Sequence, residues 1–444
     1  MASWGNPANI EVVNLGTFSF DRCKVASISS ATVTMQTPCW TNQQATLANY
    51  SIRTIPSWVE NAYELMAPGY WYLDTTAGYV YYWPQSGTMV GLTVVAPALD
   101  HLLTLTGASN LTFRDLNIEH SNWVGMDSAG VGYAGEQSGY TWLTYSTSNN
   151  TLDAAINVSG STNITFLENT FAHLGSRAIL VSGASAGVAI SSNNTFVDNA
   201  AGLIQIGTVS KSDSCLSTRE SNISITDNSI LAGNEFDYLD NGAIFAPCVD
   251  GLAITGNSII GTPGMPIAIG CGWDTPALAI NATVTNNYIN GACTVFTDCG
   301  GLYTNGSQST GGSYATGLHA TNNYLTTMTS AIGACLFPDT ESAWGTYVGN
   351  VCQSAAYWTQ MWTPTINNLT YSGNYSDTAA FLNNGTSITL AAPTIITSGV
   401  QPYGTPAQSV IMGSGTGCTS PAATSLWPGW RCLKANGLQG FWPY

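Results

Sequence analysis

Alternating apolar and polar positions dominate the chain from about residue 110 onward, in short bursts that close on Asn. The bursts begin at Asn110 (NLTFRDLN), Asn163 (NITFLEN), Gly187 (GVAISSNN), Asn222 (NISITDN), Gly251 (GLAITGN), Asn281 (NATVTNN), Gly317 (GLHATNN) and Asn368 (NLTYSGN). Their starts lie 24 to 53 residues apart, and the last gap contains a further unit around Gly345 (GTYVGN). A base period of roughly twenty-odd residues, lengthened by insertions, predicts a right-handed parallel β-helix.

The local physics agrees. Alternate positions such as Ile223 and Ile225 point to one face, as a strand with one buried side requires. The closing residue (Asn169, Asn194, Asn228, Asn257, Asn287, Asn323, Asn350 or Asn374) falls where the chain must turn. Asn tolerates the left-handed conformation, and stacked Asn amides can pair from coil to coil. A second strand is predicted directly after each Asn, and a third around 179–181, 204–206 and 267–269. A β-sandwich would show hairpin turns every ~8–12 residues and gives no reason for the Asn register. The expected class is all-β, with the β-helix over 101–395. Residues 1–100 lack the repeat and are expected to form a β-rich N-terminal subdomain on the open helix end. Residues 396–444 are expected to form a looped C-terminal cap.

Composition narrows the partners. Only 8% of the 444 residues are charged, with 9 basic against 25 acidic and a net charge of −16. The cations are scattered, so there is no basic face for nucleic acid. Polyanionic glycans would be repelled, which leaves a neutral polysaccharide or oligosaccharide as the expected partner. No apolar run reaches the ~18 residues of a membrane span, so no membrane is expected either. Eleven Cys suggest an oxidising compartment and secretion. Cys23/Cys39 and Cys418/Cys432 have spacings that suit local disulfides. Cys215, Cys248, Cys271, Cys293, Cys299, Cys335 and Cys352, among the repeats, are read as small buried apolar residues. There is no C-x-x-C and only four His, so neither a metal nor another cofactor is expected. The opening MASWGNPANI lacks the regions of a signal peptide, and Met1 is read as the start of a trimmed chain.

Coils stacked ~4.8 Å apart bring equivalent positions together, so acids can be aligned on the turn Asn. Asp240 lies 12 residues after Asn228, and Asp298 lies 11 after Asn287. Asp339 lies 16 after Asn323, with Glu341 two further on. The coil between contributes Gly272-Trp273-Asp274. Such a ridge in a chain so poor in charge suggests a cleft in which two carboxyls flank a glycosidic bond. One carboxyl would protonate the leaving oxygen, and the other would attack the anomeric carbon or activate water. Adjacent coils suit the ~5 Å separation of retaining enzymes. The alternative is that these Asp cap turns or bind Ca²⁺.

The strings GNSIIGTPGMPIAIGCGW, FTDCGGLYTNG and LFPDTESAWGTYVGNVC, with WYLD…YYWP near the N-terminus, resemble the β-helix proteins around glycoside hydrolase family 141. The likeness spans roughly residues 6–355. It implies glycosidase activity with Asp298 and Asp339 as the catalytic pair. Cys299 replaces the Gly usual after the first Asp. Asp339-Thr340-Glu341 replaces Asp-Glu-Gly, so the acidic role is open to sharing with Glu341. Family members with known activity include a fucosidase and a xylanase, so a xylan-like or fucosylated glycan is the implied substrate.

Asp298 and Asp339 are therefore the candidate catalytic residues, the more buried one expected to be the acid. Asp240, Trp273, Asp274, Tyr303, Glu341, Glu235 and His120 are candidates for substrate contact. Trp344, Trp358 and Trp362 are candidate extensions of a sugar-binding surface, since Trp faces stack on sugar C–H groups. Two other readings stand beside the hydrolase: a carbohydrate-binding β-helix without catalysis, and a polysaccharide lyase. The lyase would need basic side chains, which are scarce here.

Overall fold

The computed structural model describes residues 3–50, 56–124, 132–144, 148–208, 219–232, 237–270, 279–399, 401–416, 430–435 and 438–443. From residue 103 to 395 the chain winds through ten coils of three short strands each. Like strands of successive coils pair in parallel, giving three ten-stranded sheets and a right-handed parallel β-helix. The first sheet runs from Leu103–Thr106 to Phe381–Asn383, the second from Ser109–Arg114 to Thr386–Leu390. The third runs from Asn117–Glu119 to Thr394–Ile395.

Inside, identical positions stack. Ile156, Ile179, Ile204, Ile244, Ile267 and Leu302 form one column in the first sheet, all within 2% of complete burial. Phe171 and Phe196 stack with ring centroids 4.6 Å apart. Parallel pairing leaves each coil's apolar face covered by its neighbours, so the core is a continuous column.

The predicted Asn form a buried ladder from Asn169 to Asn374. At Asn257, Oδ1 accepts from both the N–H and Nδ2 of Asn228, at 3.0 and 2.9 Å. Its Nδ2 donates to Asn287 at 3.0 Å and to the Ile225 carbonyl at 2.8 Å. One detail differs from expectation: the ladder Asn are not the left-handed residues. That conformation falls on the residue before each, including Glu168, Asp227, Gly256 and Asn322, with φ between 54° and 67°. The preceding residue makes the turn, which frees the Asn side chain to point inward and pair.

A seven-stranded antiparallel sheet lies along the helix and reaches as far as Asp298, just before the seventh coil. It combines Glu11–Leu15, Ser19–Ser29, Thr32–Met35 and Trp58–Glu60 with three strands from between the first and second coils. These are Tyr133–Glu136, Tyr140–Thr144 and Ser148–Thr151. The hairpin they form sits close on the helix: a Cβ at Gly135 would run into the Asp240 carboxylate, and one at Gly139 into Asn241. The expected Cys23–Cys39 disulfide ties the α-helix Cys39–Tyr50 to this sheet.

Five of the seven repeat cysteines depart from expectation, while Cys215 and Cys271 lie outside the described residues. Cys293–Cys299 and Cys335–Cys352 are disulfides, and Cys248 is also disulfide-bonded, so these are crosslinks and not apolar filler. Cys335 and Cys352 sit on the first and third strands of one coil, brought within 5.9 Å between Cα atoms by the winding. The expected Cys418/Cys432 bond lies outside the described residues. At the C-terminal end, the α-helix Pro406–Gly413 lays Ala407 and Ile411 on Tyr288, Tyr324 and Val351, on the outside of the third sheet. Among the described residues no helix is long and apolar enough to cross a membrane.

Candidate active site

Asp339 follows the strand Ala334–Pro338 and is 4% exposed. Four donors converge on its carboxylate. They are the Tyr303 hydroxyl, the Trp362 indole N–H, and the Thr340 N–H and hydroxyl at 2.6 and 3.2 Å. An ionised carboxylate is acceptor-only, and this is a setting built for one. Tyr303 stands on the neighbouring strand, Gly300–Thr304, opposite Phe337. Burial, followed by the charge of Asp339, holds its hydroxyl well above the usual range, so it stays a donor.

Asp298 is half-buried, two residues before the strand that carries Tyr303. Burial, then the negative charge of Asp339, pushes its carboxyl up to about 7, and no hydrogen bond among the described residues offsets the rise. The two acids lie on adjacent coils but are not register partners: one precedes its strand and the other follows. The corner 293–299, closed by the Cys293–Cys299 disulfide, carries Asp298 to the site. The Asp298 N–H donates to the Thr17 carbonyl at 3.1 Å, and its carbonyl accepts from Gln137 at 3.4 Å. The Gln137 side-chain amide also lies 3.1 Å from the Tyr303 hydroxyl, whose single proton goes to Asp339. The hairpin and the turn before Ser19 thus hold the Asp298 backbone in place.

Asp240 is 2% exposed and belongs to an interior network. The Tyr133 hydroxyl reaches its two oxygens at 2.7 and 2.8 Å, Asn241 donates to that hydroxyl at 3.0 Å, and Arg177 donates to Asn241 at 3.0 Å. Burial pushes the Asp240 carboxyl up to about 8, although Tyr133 and Arg177 pull the other way. Asp240 therefore lies buried under the hairpin, bonded to its Tyr133. Asp21, on the hairpin's partner strand, is raised well above the carboxylate range by burial and by Glu136 and Asp240.

The other expected contacts separate. Tyr303 touches Asp339 directly, and Trp362, 49% exposed, does so through its indole N–H. Glu341 occupies the following turn with φ of 66° and donates its N–H to Thr365. His120 is elsewhere, at a left-handed corner of the third sheet, stacked on His173, whose ring pairs with Asp198. Trp358 is a core residue at 1% exposure, and Trp344 packs edge-on to Tyr314. Trp273, Asp274 and Glu235 lie outside the described residues. Among the described residues no group of three or more His, Cys, Asp or Glu is placed to hold a metal ion. Gln137, Thr17 and Thr340 were not legible in the sequence, because polar loop residues acquire meaning only once the hairpin is placed.

Comparison with known proteins agrees with the architecture. A family model described as a right handed beta helix region matches residues 93–216. No curated protein matches the chain. A solved structure named "Glycoside hydrolase" superposes with a TM-score of 0.66 and 19% sequence identity, covering 86% of this chain and 68% of that one. At this identity the likeness speaks for the fold.

Proposed function

We propose that the chain is a secreted glycoside hydrolase that cleaves a neutral, xylan-like or fucosylated glycan with retention of configuration. The reading rests chiefly on one observation: a carboxyl raised to about 7 beside a second carboxylate anchored by four donors. A carboxyl raised by burial beside another surrounded by hydrogen-bond donors is the asymmetry that an acid and a nucleophile require. Asp298 is the acid and Asp339 the nucleophile. In the first step Asp298 gives its proton to the leaving oxygen as the glycosidic bond breaks, while Asp339 bonds to the anomeric carbon. In the second, the Asp298 carboxylate takes a proton from water, whose oxygen displaces Asp339 and releases the sugar. The retaining outcome is proposed from the two acids' places on adjacent coils, which the ~5 Å separation of retaining enzymes suits. Trp362 orients Asp339 and offers its exposed face to a sugar ring. The disulfides fit an extracellular setting. A lyase is disfavoured because cations are scarce on the helix: Arg177 is fully buried, and Arg114 is paired with Asp115 and Glu168.

The test is a screen of neutral polysaccharides and aryl glycosides at pH 4–6 with chelator present, with the Asp298→Asn variant alongside. Reducing sugar released by the wild type alone supports the reading. Binding without release, unchanged in the variant, would replace it with a carbohydrate-binding β-helix.

A further inference from the structure

A cavity of about 180 Å³ opens where the N-terminal sheet meets the first coils. Trp71, Trp123 and Tyr238 wall it, and Glu11, Arg22 and Lys24 line it from one sheet face. Glu11 and Lys24 are directly opposed across the strand pair. The walls are fixed: Trp123 meets Tyr238 edge-on at 5.0 Å between centroids, and the Arg22 guanidinium lies 5.0 Å over the same Tyr238 ring. Glu60 at 2.9 Å and the Asp237 carbonyl at 3.1 Å hold that guanidinium in place.

Flat aromatic faces beside hydrogen-bonding charged groups suit a ligand with C–H faces and hydroxyl edges. Glu11 and Glu60 balance Arg22 and Lys24, so the lining selects for a neutral polar guest over an ion. At ~10–15 Å³ of such space per water, the cavity has room for a guest far larger than a single water. Tyr133 also lines the cavity, and its strand runs on to Gln137 beside the catalytic pair, four residues or about 13 Å away.

We infer that this cavity is an accessory carbohydrate site that seats one ring of a neutral glycan chain. It rests on the carbohydrate reading of the protein, but not on its catalytic pair. Trp71 is 62% exposed, so replacing it leaves the fold intact. The test is isothermal titration of the Asp298→Asn protein with xylohexaose and with 2′-fucosyllactose, repeated after adding Trp71→Ala and, separately, Trp123→Ala. Loss of one class of site, or about tenfold weaker binding, with an unchanged melting temperature in the Trp71→Ala protein, is expected. Unchanged stoichiometry and affinity in both variants would overturn the inference, as would no binding of either sugar. A wild type that hydrolyses nothing but keeps Trp71-dependent binding would sink the hydrolase and leave this site standing.

Discussion

The Asn ladder and the carboxyl pair are built from the same material, short polar side chains buried on stacked coils, and they do opposite things. In the ladder every amide finds partners above and below: Asn228, Asn257 and Asn287 are each fully buried and bonded in both directions. A satisfied buried polar row fixes register and contributes roughly 1 kcal/mol per bond. At the site, donors are distributed unevenly. Asp339 receives four, and Asp298 is left with burial and a neighbouring negative charge. Even distribution of partners produces structure. On the proposed reading, uneven distribution keeps a proton on Asp298 and makes acid–base chemistry available.

That contrast can be broken from either side. Asp298→Asn or Asp339→Asn should lower kcat by about 10²–10⁴-fold while leaving the melting temperature nearly unchanged, measured by reducing-sugar release and calorimetry. Asn257→Ala should do the reverse. It removes the ladder's middle rung and leaves the Asn228 amide and Ile225 carbonyl without their partner. Denaturant titration should show a loss of about 3 kcal/mol, with kcat unchanged. Tyr303→Phe removes one donor of the four and should cost about tenfold in kcat, a smaller effect than either Asp. Two unchanged variants at the site, or an inactive ladder variant that stays folded, would mean that the roles are misassigned.

The subtlest effect is on stability against pH. Asp298 is raised in the folded protein, so the folded state binds a proton more tightly than the unfolded chain. Its contribution is complete below the ordinary carboxylate range near ~3.9 and is lost as pH rises through about 7. Asp240, raised to about 8, acts in the same direction. Between pH 4 and 7 the melting temperature should therefore fall as pH rises, and less steeply in Asp298→Asn. A chain this poor in charge also has few ion pairs to lose at low pH, so acid tolerance is expected on both counts.

Much of this was legible because the β-helix writes its period into the chain. Ile223, Ile225 and the Asn register define strand face and turn without any tertiary knowledge. Counting from those Asn also reaches Asp298, Asp339 and Tyr303. The same counting misleads over how the acids meet, since it treats adjacent coils as adjacent side chains. Their meeting depends on the 293–299 corner and on Thr17 and Gln137, more than a hundred residues away in sequence. Asp240 shows the converse: its place in the ridge was readable, but the hairpin that buries it was not, because Gly135 reveals its close approach only in three dimensions. Asp339 is the less exposed of the two, and the proposed assignment departs from the expectation that the more buried carboxyl is the acid because four donors surround Asp339 while Asp298 has burial without them.

The most direct test is a ¹³C NMR titration of the Asp carboxyl carbons in the wild type, with Asp298→Asn to assign the signal and Asp339→Asn to remove the neighbouring charge. An Asp298 midpoint near 7 that drops when Asp339 is neutralised is the expected result. A midpoint in the ordinary carboxylate range, or one indifferent to Asp339, would contradict the division of roles between the two acids.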